Sequence, residues 1–282
     1  MKIADFITGL AQTARGACKI LLCSRPLRRC KSADTSRPLV IMGNGPSLAA
    51  VIEENEELLA RNITMAVNFA AISPEFSRLR PRYYLLADPL FFSGNDVGNM
   101  PALRSAFGAV DWPMTLFVPA DRRRKVATLG LSPNIEVCTF NAVGVEGFAP
   151  LCRMVYRSGL AMPRPRNVLI PAIMVGMDMG FRKIVLVGAD HSWLEGLSVT
   201  DDNEVVSVQR HFYADSGEEG QRIRHEYRGY HIHDIVMSMA VAFRGYHDIA
   251  NFAAAQSVDI VNATTGSYID AFRRARLADA LC

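Results

Sequence analysis

The 282-residue sequence is short of long apolar runs: none approaches the roughly 20 residues of a membrane-spanning helix. The N-terminal stretch is also a poor secretion signal, because Asp5 and Lys19 interrupt it and no A-x-A cleavage site follows. Cysteine is sparse. Cys18, Cys23, Cys30, Cys138, Cys152 and Cys282 form no C-x-x-C pair and nothing resembling a zinc knuckle, so neither a redox dithiol nor a structural zinc is expected. The apolar settings of Cys138 and Cys152 suit reduced, packed thiols, which point to the cytoplasm. Charge of one sign is lacking too. A net +3 does not argue for nucleic acid. No internal repeat and no low-complexity tract is present.

The net positive charge gathers at one end. Residues 1–34 hold Lys2, Arg15, Lys19, Arg25, Arg28, Arg29 and Lys31 against Asp5 and Asp34. Over 3–22, Ile3, Phe6, Ile7, Leu10, Ala14, Ala17 and Leu21 recur at helical spacing. A basic amphipathic helix suits an anionic membrane surface, and equally suits packing on the domain or on a second copy of the chain. Residues 32–38 read as a linker, so residues 1–37 form an N-terminal segment and 38–282 one domain. With half its residues apolar, that domain can bury a core without disulfides or metal.

Short apolar runs at 39–42, 63–68, 83–87, 114–118, 135–140, 184–188 and 258–261 read as strands. Helical patterns lie between them at 48–59, 101–108, 120–128, 145–158, 167–180, 233–256 and 268–281. This alternation predicts an α/β, Rossmann-like fold: a mostly parallel sheet with helices on both faces. Residues 191–230 are polar and aperiodic, as in a lid. Ligands of such sheets bind beyond the carboxyl ends of the strands. Four clusters follow predicted strands: Gly43-Asn44-Gly45-Pro46-Ser47, Asn68, Asp88, and Asp190-His191-Ser192 with Trp193 behind.

Gly43-x-Gly45 between a strand and a helix lets phosphate approach backbone amides and a helix N-terminus, with Ser47 as a cap. The third glycine of a dinucleotide fingerprint and the Gly-Lys-Ser/Thr of a Walker A loop are both missing, so a plain strand-to-helix turn competes with this reading. Asn68 suits ribose or base edges, and Asp88 before Pro89 could instead start a turn. Asp190 could likewise cap a turn. His225, His231 and His233, with Tyr227 and Tyr230 among them, precede or open the long helix. Histidine suits general-base work near neutral pH. Standard metal-ligand spacing is absent, so no metal and no cofactor is expected.

Ile41-Met42-Gly43-Asn44-Gly45-Pro46-Ser47-Leu48 resembles the opening of the bacterial sialyltransferases of glycosyltransferase family 42, which share a Gly-Asn-Gly-Pro-Ser-Leu loop. Residues 87–92 and 180–190 are similar to that family's Asn-Pro-Ser-Leu-Phe-Phe and Gly-Tyr-Lys-Glu-Ile-Tyr-Leu-Ser-Gly-Ile-Asp segments. The same elements, and an ending like residues 261–272, occur in a wider group similar to 6-hydroxymethylpterin pyrophosphokinase. The resemblance implies a CMP-sugar donor, sialic-acid-like, and inverting transfer to a glycan hydroxyl without metal. It implies nucleotide contacts at Gly43, Asn44, Gly45 and Asn68, and a strand-end acid at Asp190. Three positions depart from the family: Asp88 replaces Asn, Ser192 replaces a phosphate-assisting Tyr, and Asn167-Val168-Leu169 replaces a Thr-Ser-Gly turn. The base would be His233, with His231 as runner-up and Tyr230 near the leaving phosphate. The implied partners are a nucleotide-sugar donor and a glycan acceptor, and no nucleic acid. The thiols place the chain in the cytoplasm, and the membrane-binding alternative for residues 1–34 would make it peripheral at the inner membrane face. A Mg-dependent pyrophosphokinase and a non-catalytic nucleotide-sugar-binding protein are the competing readings.

Overall fold

A computed structural model describes residues 3–32, 34–207 and 229–281. Its strands are β1 (Leu39–Met42), β2 (Ile63–Val67), β3 (Tyr83–Leu85), β4 (Met114–Pro119), β5 (Ile135–Phe140), β6 (Lys183–Val187), β7 (Leu197–Val199), β8 (Val205–Ser207), β9 (Asp259–Asn262) and β10 (Arg273–Arg274). Its helices are α1 (Ile3–Cys23), α2 (Ser47–Ala60), α3 (Glu75–Leu79), α4 (Met100–Gly108), α5 (Ala149–Arg157), α6 (Leu169–Met179), α7 (Ile232–Ala255) and α8 (Leu277–Leu281).

Eight strands form one sheet in the order β10-β9-β6-β1-β2-β3-β4-β5, and every pairing in it is parallel. The chain steps outward from β1 to β5, then returns to place β6 on the other side of β1. The strand order therefore reverses between β1 and β6. Successive residues of β1 point to opposite faces. Leu39 and Ile41 join the core beneath α6 and α7, while Val40 and Met42 join the core beneath α2 and α4. Both faces are covered, which is why β1 reads Leu-Val-Ile-Met with no polar alternation. The α/β expectation holds, with helices on both faces of the sheet.

Some elements differ from the sequence reading. Residues 120–129 form 3-10 turns, not an α-helix. The stretch 268–281 holds bends, β10 and the five-residue α8 in place of one long helix. Part of the expected lid forms an antiparallel hairpin, β7–β8; its remainder at 208–228, with His225 and Tyr227, lies outside the described residues.

The N-terminal segment is built onto the domain. Gly16 of α1 is buried against Val145, Thr13 Oγ1 accepts from Phe148 N at 3.0 Å, and the rings of Phe6 and Phe148 lie 5.5 Å apart. Beyond the helix, Asn141 accepts from Arg25 N and donates to Arg25 O. This strap carries Cys30 to Cys138, to which it is disulfide-linked across 108 residues. That corrects the expectation of a reduced Cys138 and removes the thiol argument for the cytoplasm. Cys152 is free, as expected. Among the described residues no helix is long and apolar enough to cross a membrane.

Candidate functional site at the carboxyl ends of β1 and β6

The loops after β1 and β6 touch through glycine. A Cβ on Gly43 would stand 2.4 Å from Gly188 O, and one on Gly188 would stand 2.6 Å from Gly43 O. Gly43 N donates to Val187 O at 2.8 Å and Gly45 N to Gly188 O at 2.9 Å. Two amides expected to cradle phosphate are therefore engaged by β6. Asp190 takes the next position. Its carboxylate accepts from Ser47 N at 3.2 Å and Ser47 Oγ at 2.8 Å, closing the N-terminus of α2. Ser47 thus contributes a donor to Asp190 and is not itself the cap. A negative charge already offsets the helix dipole where the sequence reading put the phosphate.

Behind Asp190, the segment after β9 fixes the turn. Ala189 N donates to Thr264 Oγ1, Ser267 Oγ donates to Ala189 O, and Tyr268 N donates to Asp190 O. His191 follows in the left-handed region at φ 54°. Its Nε2 lies 2.6 Å from the hydroxyl of Tyr246 on α7. That hydroxyl donates to Asn167 Oδ1 at 2.8 Å. Asn167 Oδ1 also accepts from Leu169 N and Ile170 N, capping α6. Trp193 lies over His191, with ring centroids 4.1 Å apart, and Phe243 flanks it. This apolar enclosure pushes the imidazole pKa down to about 3, because burial disfavours the cation.

On the other side of β1, Asn44 Nδ2 donates to Val67 O and ties the glycine loop to the end of β2. Asn68 follows at φ 51°, and its buried Oδ1 has no hydrogen-bond partner among the described residues. Asn167 Nδ2 is likewise buried without one. With β1 between β2 and β6, the ends carrying Asn68 and His191 are two strand spacings apart, about 10 Å.

The structure thus brings together Gly43, Asn44, Gly45, Ser47, Asn68, Asn167, Asp190 and His191, with Ser192 next along the chain. Among the described residues it does not hydrogen-bond the others to this cluster. Asp88 is exposed and accepts from Leu90 N at 2.8 Å, starting the turn that was its alternative reading. Tyr230, His231 and His233 are exposed at the start of α7. His233 pairs with Asp234 at 3.4 Å and its ring stacks with His231. Thirteen residues of helix separate His233 from Tyr246, about 20 Å at 1.5 Å per residue. Among the described residues no hydrogen bond or ring contact joins His233, or the runner-up His231, to this cluster. Tyr246 was missed by the sequence reading because it falls on the apolar stripe of α7. The signal was its hydroxyl, which a buried tyrosine must satisfy. Among the described residues, no three His, Cys, Asp or Glu side chains group as a metal site.

No protein-family model matches the chain, and no curated protein matches it significantly. Among solved structures it is similar to the MAf glycosyltransferase from Magnetospirillum magneticum AMB-1, with a TM-score of 0.50 and 13% identity. The likeness covers 94% of this chain and 37% of that one, so the chain spans little more than a third of its neighbour's length. At this identity what is shared is the fold: the doubly wound sheet with helices on both faces.

Proposed function

We propose that the chain is a glycosyltransferase that binds its nucleotide-sugar donor across the carboxyl ends of β2, β1 and β6. One observation carries this reading. Asn68 Oδ1 and Asn167 Nδ2 are buried without partners among the described residues, at the edge where the strand order reverses. A buried polar atom without a partner costs about 1–3 kcal/mol, which a ligand able to hydrogen-bond there would recover. The fold likeness to a protein described as a glycosyltransferase supports the class. The resemblance of residues 41–48, 87–92 and 180–190 to the sialyltransferases supports a CMP-sugar as donor and a glycan hydroxyl as acceptor, with inversion. In this reading Gly43 and Gly45 allow the two loops to meet, and the asparagines and His191 contact the donor.

A thermal-shift series over CMP, CDP, UDP, GDP and ATP, with and without Mg²⁺, tests it. Binding to the native state raises the melting temperature. CMP without Mg²⁺ is expected to stabilise most. Stabilisation by ATP only with Mg²⁺ would instead favour the pyrophosphokinase reading. The non-catalytic alternative has an observation of its own: burial holds the basicity of His191 low, which makes it a poor general base. Release of CMP from a CMP-sugar in the presence of glycan acceptors separates the two.

We also propose that α1 rests on an anionic membrane surface. Ile3, Ile7, Leu10, Ala14, Ala17 and Leu21 are all exposed, whereas Gly9, Thr13, Gly16 and Ile20 face the domain. Ile3 is 81%, Leu21 83% and Leu22 84% exposed, beside the basic Arg15, Arg25 and Arg28. Apart from Phe6, which meets Phe148, the apolar stripe is therefore not what docks the helix, and it is left to an outside partner.

A further inference from the structure

The hydrogen bonds at the β6 edge have a fixed direction. Asn167 Oδ1 accepts from Leu169 N and Ile170 N, so it is a carbonyl oxygen and cannot donate. Tyr246 must therefore give it the hydroxyl hydrogen. A tyrosine has one such hydrogen, so the contact with His191 Nε2 at 2.6 Å requires Nε2 to be the donor. The lone pair then sits on Nδ1. His191 makes no further hydrogen bond among the described residues, and Nδ1 is not among their buried, partnerless atoms. Trp193, Phe243 and Tyr246 surround the ring and none of them carries charge; the nearest acid in the chain, Asp190, is held by Ser47.

We propose that His191 is a ligand-contacting residue whose Nδ1 accepts a hydrogen from a hydroxyl or amino group of the bound sugar nucleotide, with Tyr246 and Asn167 as positioning residues. This rests on the donor site proposed above. A ring locked with Nε2 protonated and Nδ1 open selects ligands that offer a donor there, and rejects a carboxylate or phosphate oxygen. The burial that lowers its basicity keeps the ring in this form at neutral pH. The specificity is thus for an uncharged donor group beside the β6 end, alongside a second donor toward the bare acceptor Asn68 Oδ1 at the β2 end.

The test is ¹⁵N NMR of the full chain with labelled histidine, the His191 signals assigned by their loss in His191→Phe. The expected spectrum shows a neutral ring with hydrogen on Nε2. Tyr246→Phe, which keeps the ring volume, should release this tautomer preference. Adding CMP, and separately free N-acetylneuraminic acid, should move the Nδ1 signal, and His191→Phe should weaken the binding of the probe that does so about tenfold, as for one lost hydrogen bond. A cation or an Nδ1-protonated ring at neutral pH overturns the relay, and the wild-type spectrum decides this even if Tyr246→Phe fails to fold. An Nδ1 signal unmoved by both probes overturns the ligand contact. If the melting temperature still rises with CMP in that case, the nucleotide reading stands and His191 alone is removed from it.

Discussion

The carboxylate of Asp190 closes the N-terminus of α2 through both the amide and the hydroxyl of Ser47, at 3.2 and 2.8 Å. The contact joins residues 143 positions apart and links the ends of β1 and β6. Asp190→Asn removes the charge at the helix N-terminus and weakens both bonds. It should lower stability by about 1–2 kcal/mol, the range of a lost helix cap and its dipole interaction. Urea unfolding of the two proteins measures this as a lower midpoint with an unchanged slope; equal midpoints would show the contact to be ornamental.

Gly45→Ala should be coupled to Asp190. The added Cβ would fall 1.8 Å from Asp190 Oδ2, so the carboxylate must leave its place over α2. A loss of about 1–3 kcal/mol is expected. In an Asp190→Ala background much of that loss should vanish, because two of the three atoms the methyl meets, Asp190 Oδ2 and Cγ, are gone. The residual cost comes from Gly188 O, 2.7 Å from the same Cβ. Additive losses in the double mutant would contradict the clash.

Acid should weaken the protein partly through His191. Its folded pKa of about 3 lies below the ordinary imidazole value of 6.5. Between those values the unfolded chain binds a proton that the native ring refuses. Its contribution is complete above about pH 6.5 and is lost as pH falls, by on the order of 1.4 kcal/mol per pH unit at most. Asp178 and Asp248 act oppositely, since burial raises their pKa and protonation favours the native state. Comparing His191→Phe with wild type isolates the histidine. Their stability difference should be flat above about pH 6.5 and move toward the variant below it. A difference that is flat down to about pH 5 would refute the burial argument.

The exposed histidines should be dispensable for any chemistry at the crevice. His233→Ala and His231→Ala are expected to keep turnover within about twofold, as surface substitutions do. His191→Phe should lower kcat/KM for a CMP-sugar about tenfold or more, as for one lost contact. A collapse in His233→Ala alone would return the base to the start of α7.

Removing residues 1–34 should cost stability as well as membrane binding. The cut deletes the α1 packing, the Arg25–Asn141 pair and the Cys30–Cys138 link. A less disruptive variant, Ile7→Ser with Leu21→Ser, changes only exposed positions. It should keep the melting temperature and lose binding to anionic vesicles, which in the wild type weakens as salt rises. Unchanged vesicle binding in that variant would rule out the stripe as the contact.

The sequence by itself determined the α/β class, because fully apolar strands can persist only between two helical layers, and it located the glycine loop, Asn68, Asp190 and His191 at strand ends. These features are local, and residue type with spacing expresses them. Strand order, and with it the reversal between β1 and β6, was decided only in three dimensions. So was the service of Gly43 and Gly45, which reads as a phosphate cradle until β6 is seen to press on the loop. Asp190 reads as a ligand contact until Ser47 is found beneath it, and Cys138 reads as an isolated thiol until the strap delivers Cys30. The His191–Tyr246–Asn167 chain brings together three elements up to 79 residues apart, and its members look locally like a strand end, a core tyrosine and a helix cap. No spacing rule connects them, because the sheet that juxtaposes them is held by cores spread over the whole chain.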